Sequence, residues 1–556
     1  MKRFKTLFLL LTTLSSFFPA LLYSHVDTAW VRRYNGPGNG ADEACAIAVD
    51  GAGNVYVTGY SVGSGTYPND YATIKYNSAG ETLWVRRYDG LGARNDEACA
   101  IAVDGVGNVY VTGFSYGANN DYATIKYDST GVQQWVKRYN GPGNSSDYAK
   151  AMVLDGAGNI YVTGQSAGSG TGQDYATIKY TSVGDTLWVR RYNRSGGTED
   201  ARAIAVDASG NVYVTGASYS TNRDYTTIKY NLAGVQQWVS IYNGTGDGDD
   251  YPEAIAVDGS GNVYVTGHSP DSISDRDYTT IKYNPNGETL WVRRYDGGGN
   301  SYDYAYAMAV DGAGNVYVTG RSAVSGTQYD YATIKYDSAG DTLWVRRYGE
   351  AGTGDDAYAI AVDGAANVYV TGKIRGGITR DYATIKYNSA GEQQWVATYN
   401  GIGNSADEAY AIAVDNLGNV YVTGMSYGSG TDFDYATIKY VQTGAIEENR
   451  GPICANCLPI EIYPNPVKGV LRVRGPFSEK TIKIFDITGK MVKEIEILRG
   501  VYPEQQNEIL RFAQNDPERR VQNDGVRETK ISLKRMNPGI YFLQLGKLTK
   551  KFIVTK

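Results

Sequence analysis

Histidine, cysteine, methionine and proline are all scarce in this chain: two, four, six and 15 in 556 residues. With only His25 and His268 present, imidazole-dependent chemistry has almost nothing to work with. Sustained helical apolar periodicity is missing, which argues against a bundle. Beyond the first 24 residues no stretch is long and apolar enough to span a bilayer. Net positive charge is missing as well. The chain carries −6 overall, with +3 in residues 1–24 and +8 in 460–556, which leaves −17 for 25–459. Phosphate backbones want Lys and Arg, so this balance excludes nucleic acid and suits cations or neutral sugars better.

What is abundant is glycine (68) and tyrosine (49), a composition that fits many short strands joined by tight turns. The phrase Gly-Asn-Val-Tyr-Val-Thr-Gly occurs, with small changes, eight times, from Gly53–Gly59 to Gly418–Gly424. Asp-Tyr-(Ala/Thr)-Thr-Ile-Lys-Tyr keeps step from Asp70–Tyr76 to Asp434–Tyr440, and an Ala-rich phrase from Ala46–Asp50 to Ala411–Asp415. A period near 50 residues marks stacked units that cannot bury their faces alone. Within one unit, Ala46–Asp50, Val55–Thr58, Tyr71–Tyr76 and Thr82–Tyr88 are separated by Gly/Asn turns and are rich in β-branched and aromatic residues. Four antiparallel strands repeated radially predict a β-propeller.

The tryptophans predict how the ring closes. Seven units carry a fourth strand beginning at Trp84, Trp135, Trp188, Trp238, Trp291, Trp344 and Trp395; the eighth ends at Tyr440 without one. Trp30-Val31-Arg32-Arg33-Tyr34 stands ahead of the first unit and supplies the missing strand. The expectation is an all-β chain: an eight-bladed propeller over 25–440, its last blade closed by the N-terminal strand, which pairs two otherwise open edges.

The phrases Asp-Gly-x-Gly-Asn-Val-Tyr-Val-Thr-Gly and Asp-Tyr-Ala-Thr-Ile-Lys-Tyr resemble the bacterial β-propeller repeat family called SBBP, over roughly residues 30–440. That name implies seven blades; the count here is eight. After a linker at 441–459, residues 460–556 alternate as short strands and predict a small β-sandwich. Tyr463-Pro464-Asn465-Pro466, Asp486-Ile487-Thr488-Gly489-Lys490, Gly539-Ile540-Tyr541-Phe542 and the closing Lys550–Val554 resemble the type A sorting domain of the type IX secretion system. That resemblance implies passage across an outer membrane, contact with the secretion machinery and its sorting protease, and release or attachment at the surface. A polar insert at 499–528 departs from the pattern and is expected to be a disordered loop. At the other end, Lys2, Arg3 and Lys5 before the apolar run Leu7–Leu14 predict a signal peptide over 1–24 and no membrane segment after its removal.

Spacing shows which face is free to change. Asp50 to Asn54 is four residues in every unit, whereas Gly59 to Asp70 is eleven and Gly113 to Asp121 is eight. In an up-and-down blade the two adjustable connections share one face, and such loops commonly carry binding. Two positions there differ from unit to unit. One follows Thr-Gly (Tyr60, Phe114, Gln165, Ala217, His268, Arg321, Lys373, Met425). The other precedes the first strand (Cys45, Cys99, Lys150, Arg202, Glu253, Tyr306, Tyr358, Tyr410) and is expected near the channel mouth. Lys150, Arg202, Glu253, Tyr306, Tyr358, Tyr410, His268 and Arg321 are therefore the candidate ligand-binding residues, for a glycan or a surface protein.

Acids also recur on this face: Asp42, Asp96, Asp147, Glu199, Asp250, Asp303, Asp355 and Asp407. They could ring the mouth for a cation, but local hydrogen bonding within each loop is the favoured reading. With no Asp-x-Asp-x-Asp-Gly loop, neither metal nor cofactor is expected. Gly-x-Ser-x-Gly occurs four times, around Ser61, Ser115, Ser166 and Ser426, but without a strand-to-helix elbow or a histidine partner. Cys454 and Cys457 form one Cys-x-x-Cys, too few ligands for zinc and better suited to a local disulfide after export. Gly80-Glu81-Thr82-Leu83-Trp84 is similar to the tryptophan-bearing blades of quinoprotein dehydrogenases, which keeps a quinone-dependent or hydrolytic enzyme, or a passive surface layer, as alternatives to a non-catalytic adhesion module.

Overall fold

The computed structural model describes residues 25–443, apart from 65–68, 92–93, 195, 273–274, 299–300, 324–327, 350–353 and 377–378, together with strand backbone between 461 and 554. The signal peptide expected at 1–24, most of the linker, and Cys454 and Cys457 lie outside the described residues.

Blade 1 comprises Glu43–Val49, Val55–Val62, Asn69–Tyr76 and Thr82–Tyr88, hydrogen-bonded in that order and antiparallel throughout. Seven blades are continuous in sequence. In the eighth, His25–Tyr34 pairs beside Phe433–Thr443, followed outward-to-inward by Val420–Tyr427 and Asp407–Val414. The leading strand closes the last blade.

Side chains repeat that closure. Tyr71 Oη donates to the Ala123 carbonyl of the next blade at 3.1 Å, and the relation advances blade by blade to Tyr435, which donates to Ala72 of blade 1 at 3.1 Å. Tryptophans follow the same path: Trp84 Nε1 donates to Ser129 O, and Trp30 Nε1 to Ser78 O. Seven of the eight indoles, all but Trp395, lie on the turn glycine of the following blade. At Gly80 (φ +81°) a Cβ would stand 2.7 Å from Trp30 Cδ2, so this close approach admits no side chain. The core is not central but divided among the blade interfaces. One cluster joins Trp30, Tyr421 and Tyr435 of blade 8 to Val55, Val57, Ala72 and Ile74 of blade 1.

The invariant four-residue spacing has a direct cause. Asp50 Oδ1 accepts from Ala52 N and Asn54 N, both at 2.9 Å, while Oδ2 accepts from Asn54 Nδ2 and Tyr56 Oη at 2.7 and 2.8 Å. One carboxylate satisfies the whole turn, so neither insertion nor deletion fits. On the opposite face, Asp147 is fully buried and accepts from Gly141 N at 2.6 Å and Ala167 N at 2.8 Å. The recurring acids are local hydrogen-bond acceptors, the favoured of the two sequence readings.

Strands of the C-terminal unit pair into two four-stranded antiparallel sheets. One holds Glu461–Tyr463, Val470–Gly475, Arg527–Ser532 and Leu510–Arg511; the other holds Met491–Glu496, Thr481–Asp486, Gly539–Leu545 and Leu548–Val554. Within the insert at 499–528, Leu510–Arg511 thus pairs with Arg527–Ser532; the rest of it before Arg527 lies outside the described residues.

Candidate functional site

The innermost strand of every blade touches the innermost strands of both neighbours, so these eight strands surround the channel. Each carries one β-bulge at the same place. Cys45 is skipped between Ala44 and Ala46, Lys150 between Ala149 and Ala151, Tyr306 between Ala305 and Ala307, and so on around the ring. A bulge leaves one residue unpaired and re-aims its side chain. The variable position found in sequence is this bulged residue. The Thr-Gly glycine pairs with the residue just before the bulged one: a Cβ on Gly320 would meet Tyr304 O at 1.9 Å and one on Gly59 would meet Glu43 O at the same distance.

Bulged side chains of adjacent blades touch across the mouth. Tyr306 and Tyr358 have ring centroids 5.8 Å apart, and Tyr358 and Tyr410 5.5 Å. Arg202 pairs with Glu253 of the next blade and with Asp200 at 2.9 Å. Burial holds the Glu253 carboxyl up at about 7 against the pull of Arg202. Cys45 and Cys99 take two adjacent seats as free thiols, the latter donating to Ala149 O at 3.2 Å and pushed up to about 12 by burial. Lys150 stands apart, exposed, 5.9 Å from the Tyr148 ring.

His268 and Arg321 sit one layer out, on the second strand. His268 is only 6% exposed, so it is not an open rim residue. Its ring centroid lies 5.3 Å from that of Tyr251 and 4.5 Å from that of Tyr304. Burial, reinforced by Arg276, Arg202 and Arg321, pushes the imidazole down to about 3, so it is neutral at ordinary pH. The Arg321 guanidinium lies 4.4 Å from the ring centres of both Tyr304 and Tyr329, with Nη1 3.4 Å from Asp356.

Sequence reasoning missed the residues that bind these together. Glu408, 5% exposed, accepts from Lys373 at 3.3 Å, Arg380 at 2.7 Å, and Tyr358 and Tyr410 at 3.4 Å each. Glu408, Asp356, Tyr304, Tyr251 and Asp200 all stand two residues before the bulge. Arg380, Tyr329, Arg276 and Arg223 all precede the third-strand Asp. Both positions vary from blade to blade, the same signal that exposed the other two. Blades 4–8 thus carry a continuous arc of tyrosine and paired charge, while Glu43, Glu97, Phe114 and the two thiols occupy blades 1 and 2.

Two places among the described residues bring three acidic oxygens within 4.8 Å: Asp70, Asp89 and Asp96, and Asp277, Asp296 and Asp303. At another junction Asn193 fills the position of Asp89 and donates to Asp174 and Glu199 at 2.7 and 3.0 Å. The serines of the Gly-x-Ser-x-Gly matches are fully buried, and Ser61 accepts from Arg87 at 2.5 Å, which ties it into the scaffold.

The family model for the SBBP beta-propeller repeat matches seven stretches: 29–65, 134–170, 187–222, 237–270, 290–326, 343–378 and 394–433. The model for the secretion system C-terminal sorting domain matches 461–510. The structure has eight blades; the repeat between the first two matches carries the same phrases. A search of curated proteins finds no match. Among solved structures, Sqt1 of Chaetomium thermophilum, bound to the N-terminus of the ribosomal protein L10, is 10% identical with a TM-score of 0.47 over 73% of this chain and 99% of its own. The polysaccharide lyase Uly1 is 12% identical (TM-score 0.40, 64% and 92%), and the Pseudomonas aeruginosa periplasmic gluconolactonase PpgL 10% identical (0.38, 61% and 96%). At these values they carry no argument about function.

Proposed function

For this chain, an SBBP repeat propeller with a type IX secretion sorting domain and hence a secreted or cell-surface protein, we propose a role as a binding module whose ligand is held on the variable rim. The tail is a β-sandwich handed to the secretion machinery and its sorting protease, and the propeller is the part that acts outside.

One observation carries this reading. Most of each blade repeats nearly without change, yet the four positions that vary converge at one mouth, where Tyr304, Tyr306, Tyr358 and Tyr410 form a connected, half-buried aromatic series. Scaffolding needs a residue in every blade; recognition needs different residues in different blades. Tyrosine presents a rigid apolar face and a hydroxyl at little conformational cost, as binding surfaces require. The polar groups with catalytic potential are repeated and internally bonded, so the reading is of a binding protein rather than an enzyme.

A glycan and surface-protein array probed with the full chain tests it. Tyr306→Ala/Tyr358→Ala/Tyr410→Ala is expected to lose at least about 2 kcal/mol of binding, around thirtyfold, with an unchanged melting temperature. Full binding by that variant rejects the rim as the site. No binding by the wild-type chain to any array favours a passive surface protein.

A further inference from the structure

The arc on blades 5 and 6 holds two buried nitrogens without a partner among the described residues: His268 Nδ1 and Arg321 Nε. Buried polar groups are almost always satisfied, and exceptions need a cause. Both side chains pack on the same ring, that of Tyr304, at 4.5 Å for the His268 centroid and 4.4 Å for the Arg321 guanidinium carbon. Arg276 lies near, its guanidinium carbon 5.3 Å from the centre of the Tyr251 ring against which His268 packs. A cationic and a neutral side chain thus meet on one ring; Arg321 Nη1 reaches Asp356 at 3.4 Å, while its Nε and His268 Nδ1 have no partner among the described residues.

We propose that this cluster is an anion subsite, and that the ligand of the rim is a saccharide carrying a carboxylate or a sulfate. An oxygen of that group accepts from Arg321 Nε–H and from the single N–H of the neutral imidazole. Guanidinium edges suit both oxyanions because their donors are planar and fixed. The sugar itself rests on the adjoining rings. Tyr304 and Tyr306 lie 7° from parallel with centroids 6.3 Å apart, and Tyr302 is 41% exposed. Among the described residues no exposed large aliphatic side chain belongs to this cluster, which favours a sugar face over an apolar protein epitope.

The net charge of the repeats does not oppose this. In blade 5, for example, Asp250 accepts from Gly244 N, Asp258 holds its turn, and Asp277 pairs with Arg294 at 2.9 Å. Three such acidic positions recur in each blade and are spent on the scaffold. At the mouth of blades 4–6 four arginines, Arg202, Arg223, Arg276 and Arg321, stand with Asp200, Asp249, Glu253 and, from blade 7, Asp356, so cationic groups there are not outnumbered.

This inference rests on the rim being the binding face. The test uses the full chain with labelled histidine, because His268 shares the spectrum only with His25. D-glucuronate, D-glucose 6-sulfate, D-glucose and inorganic sulfate are titrated separately. Glucuronate or the sulfate ester is expected to shift His268 at a concentration at least about tenfold lower than glucose does. Which of the two is tighter identifies the oxyanion. Arg321→Gln should erase the preference over glucose and Arg321→Lys most of it, while Glu288→Gln, at an exposed fixed turn on the opposite face of blade 5, should leave it unchanged. Glucuronate and ester no tighter than glucose, or an unaltered preference in Arg321→Gln, overturns the proposal. Inorganic sulfate binding as tightly as the ester reduces the site to a small-anion site and overturns its saccharide part. If the anion preference fails while the triple-tyrosine variant still loses array binding, only this inference falls. Array binding that ignores those tyrosines sinks the rim reading itself.

Discussion

Single residues in this ring have two kinds of carboxyl with opposite pH behaviour. Burial raises the loop acids, Glu199 to about 7 and Asp250 and Asp303 to about 6, and also the bulged Glu253, to about 7. The turn acids Asp50, Asp104, Asp155, Asp207, Asp258, Asp311 and Asp363 are lowered, because their hydrogen bonds outweigh the burial that opposes them. A raised acid holds in the fold a proton that the unfolded chain has shed, so stability grows as pH falls from about 7 toward the ordinary carboxylate range. Lowered acids contribute stability above that range and lose it as pH falls through their depressed values. Buried neutral His268, at about 3, works against the first group below its ordinary value near 6.5, but it is one residue against four. The melting temperature is therefore expected to be higher at pH 5 than at pH 8 and to drop below about pH 4. Thermal scans across this range decide the matter; a lower value at pH 5 than at pH 8 contradicts it.

Among elements, the bulged inner strand deserves the closest test. The bulge, the glycine opposite it and the variable side chain form one device, since the carbonyl of Tyr304 occupies the space a Cβ at Gly320 would need. Gly320→Ala must therefore push the two strands apart or flatten the bulge. The expected cost is about 3 kcal/mol, at the upper end for overpacking, with loss of the Tyr304, Tyr306 and Arg321 cluster. A crystal structure of the variant with the bulge unmoved, or a denaturation midpoint equal to wild type, would disprove this coupling. The bulge itself was not legible beforehand. Alternation in Ala-Tyr-Ala-Met-Ala-Val shows a strand, but the skipped residue emerges only when its register against Val316–Ala323 is seen.

At the scale of the whole molecule, the ring is held by a strand more than 370 residues distant in sequence from its blade. Arg33 of that strand pairs with Asp434 at 2.8 Å, Tyr34 packs edge-on against Tyr435 at 5.6 Å, and Trp30 fills the interface between blades 8 and 1. Deleting residues 25–34 removes a buried tryptophan and leaves the edge of Phe433–Thr443 unpaired. The melting temperature is expected to fall by more than about 10 °C, from the several kcal/mol that a buried aromatic alone contributes. A deletion variant that melts with the wild-type chain would mean that the blades do not depend on closure.

The sequence by itself determined the repeat, the four strands, the number of blades and the strand that closes them. Each of these is written in local phrases whose hydrogen bonds are satisfied within a blade or by its immediate neighbour. Tertiary structure alone decided which variable residues meet. Glu408 joins Tyr358, Lys373 and Arg380 from a different blade, and Arg321 finds Tyr329 through strand register, so neither partnership has a fixed spacing in the chain. It also decided that His268 is buried rather than open, because the rings covering it come from its own blade and the next. Scaffold contacts repeat and can be read from one copy; the site is made from differences between copies, and those meet only once the circle is closed.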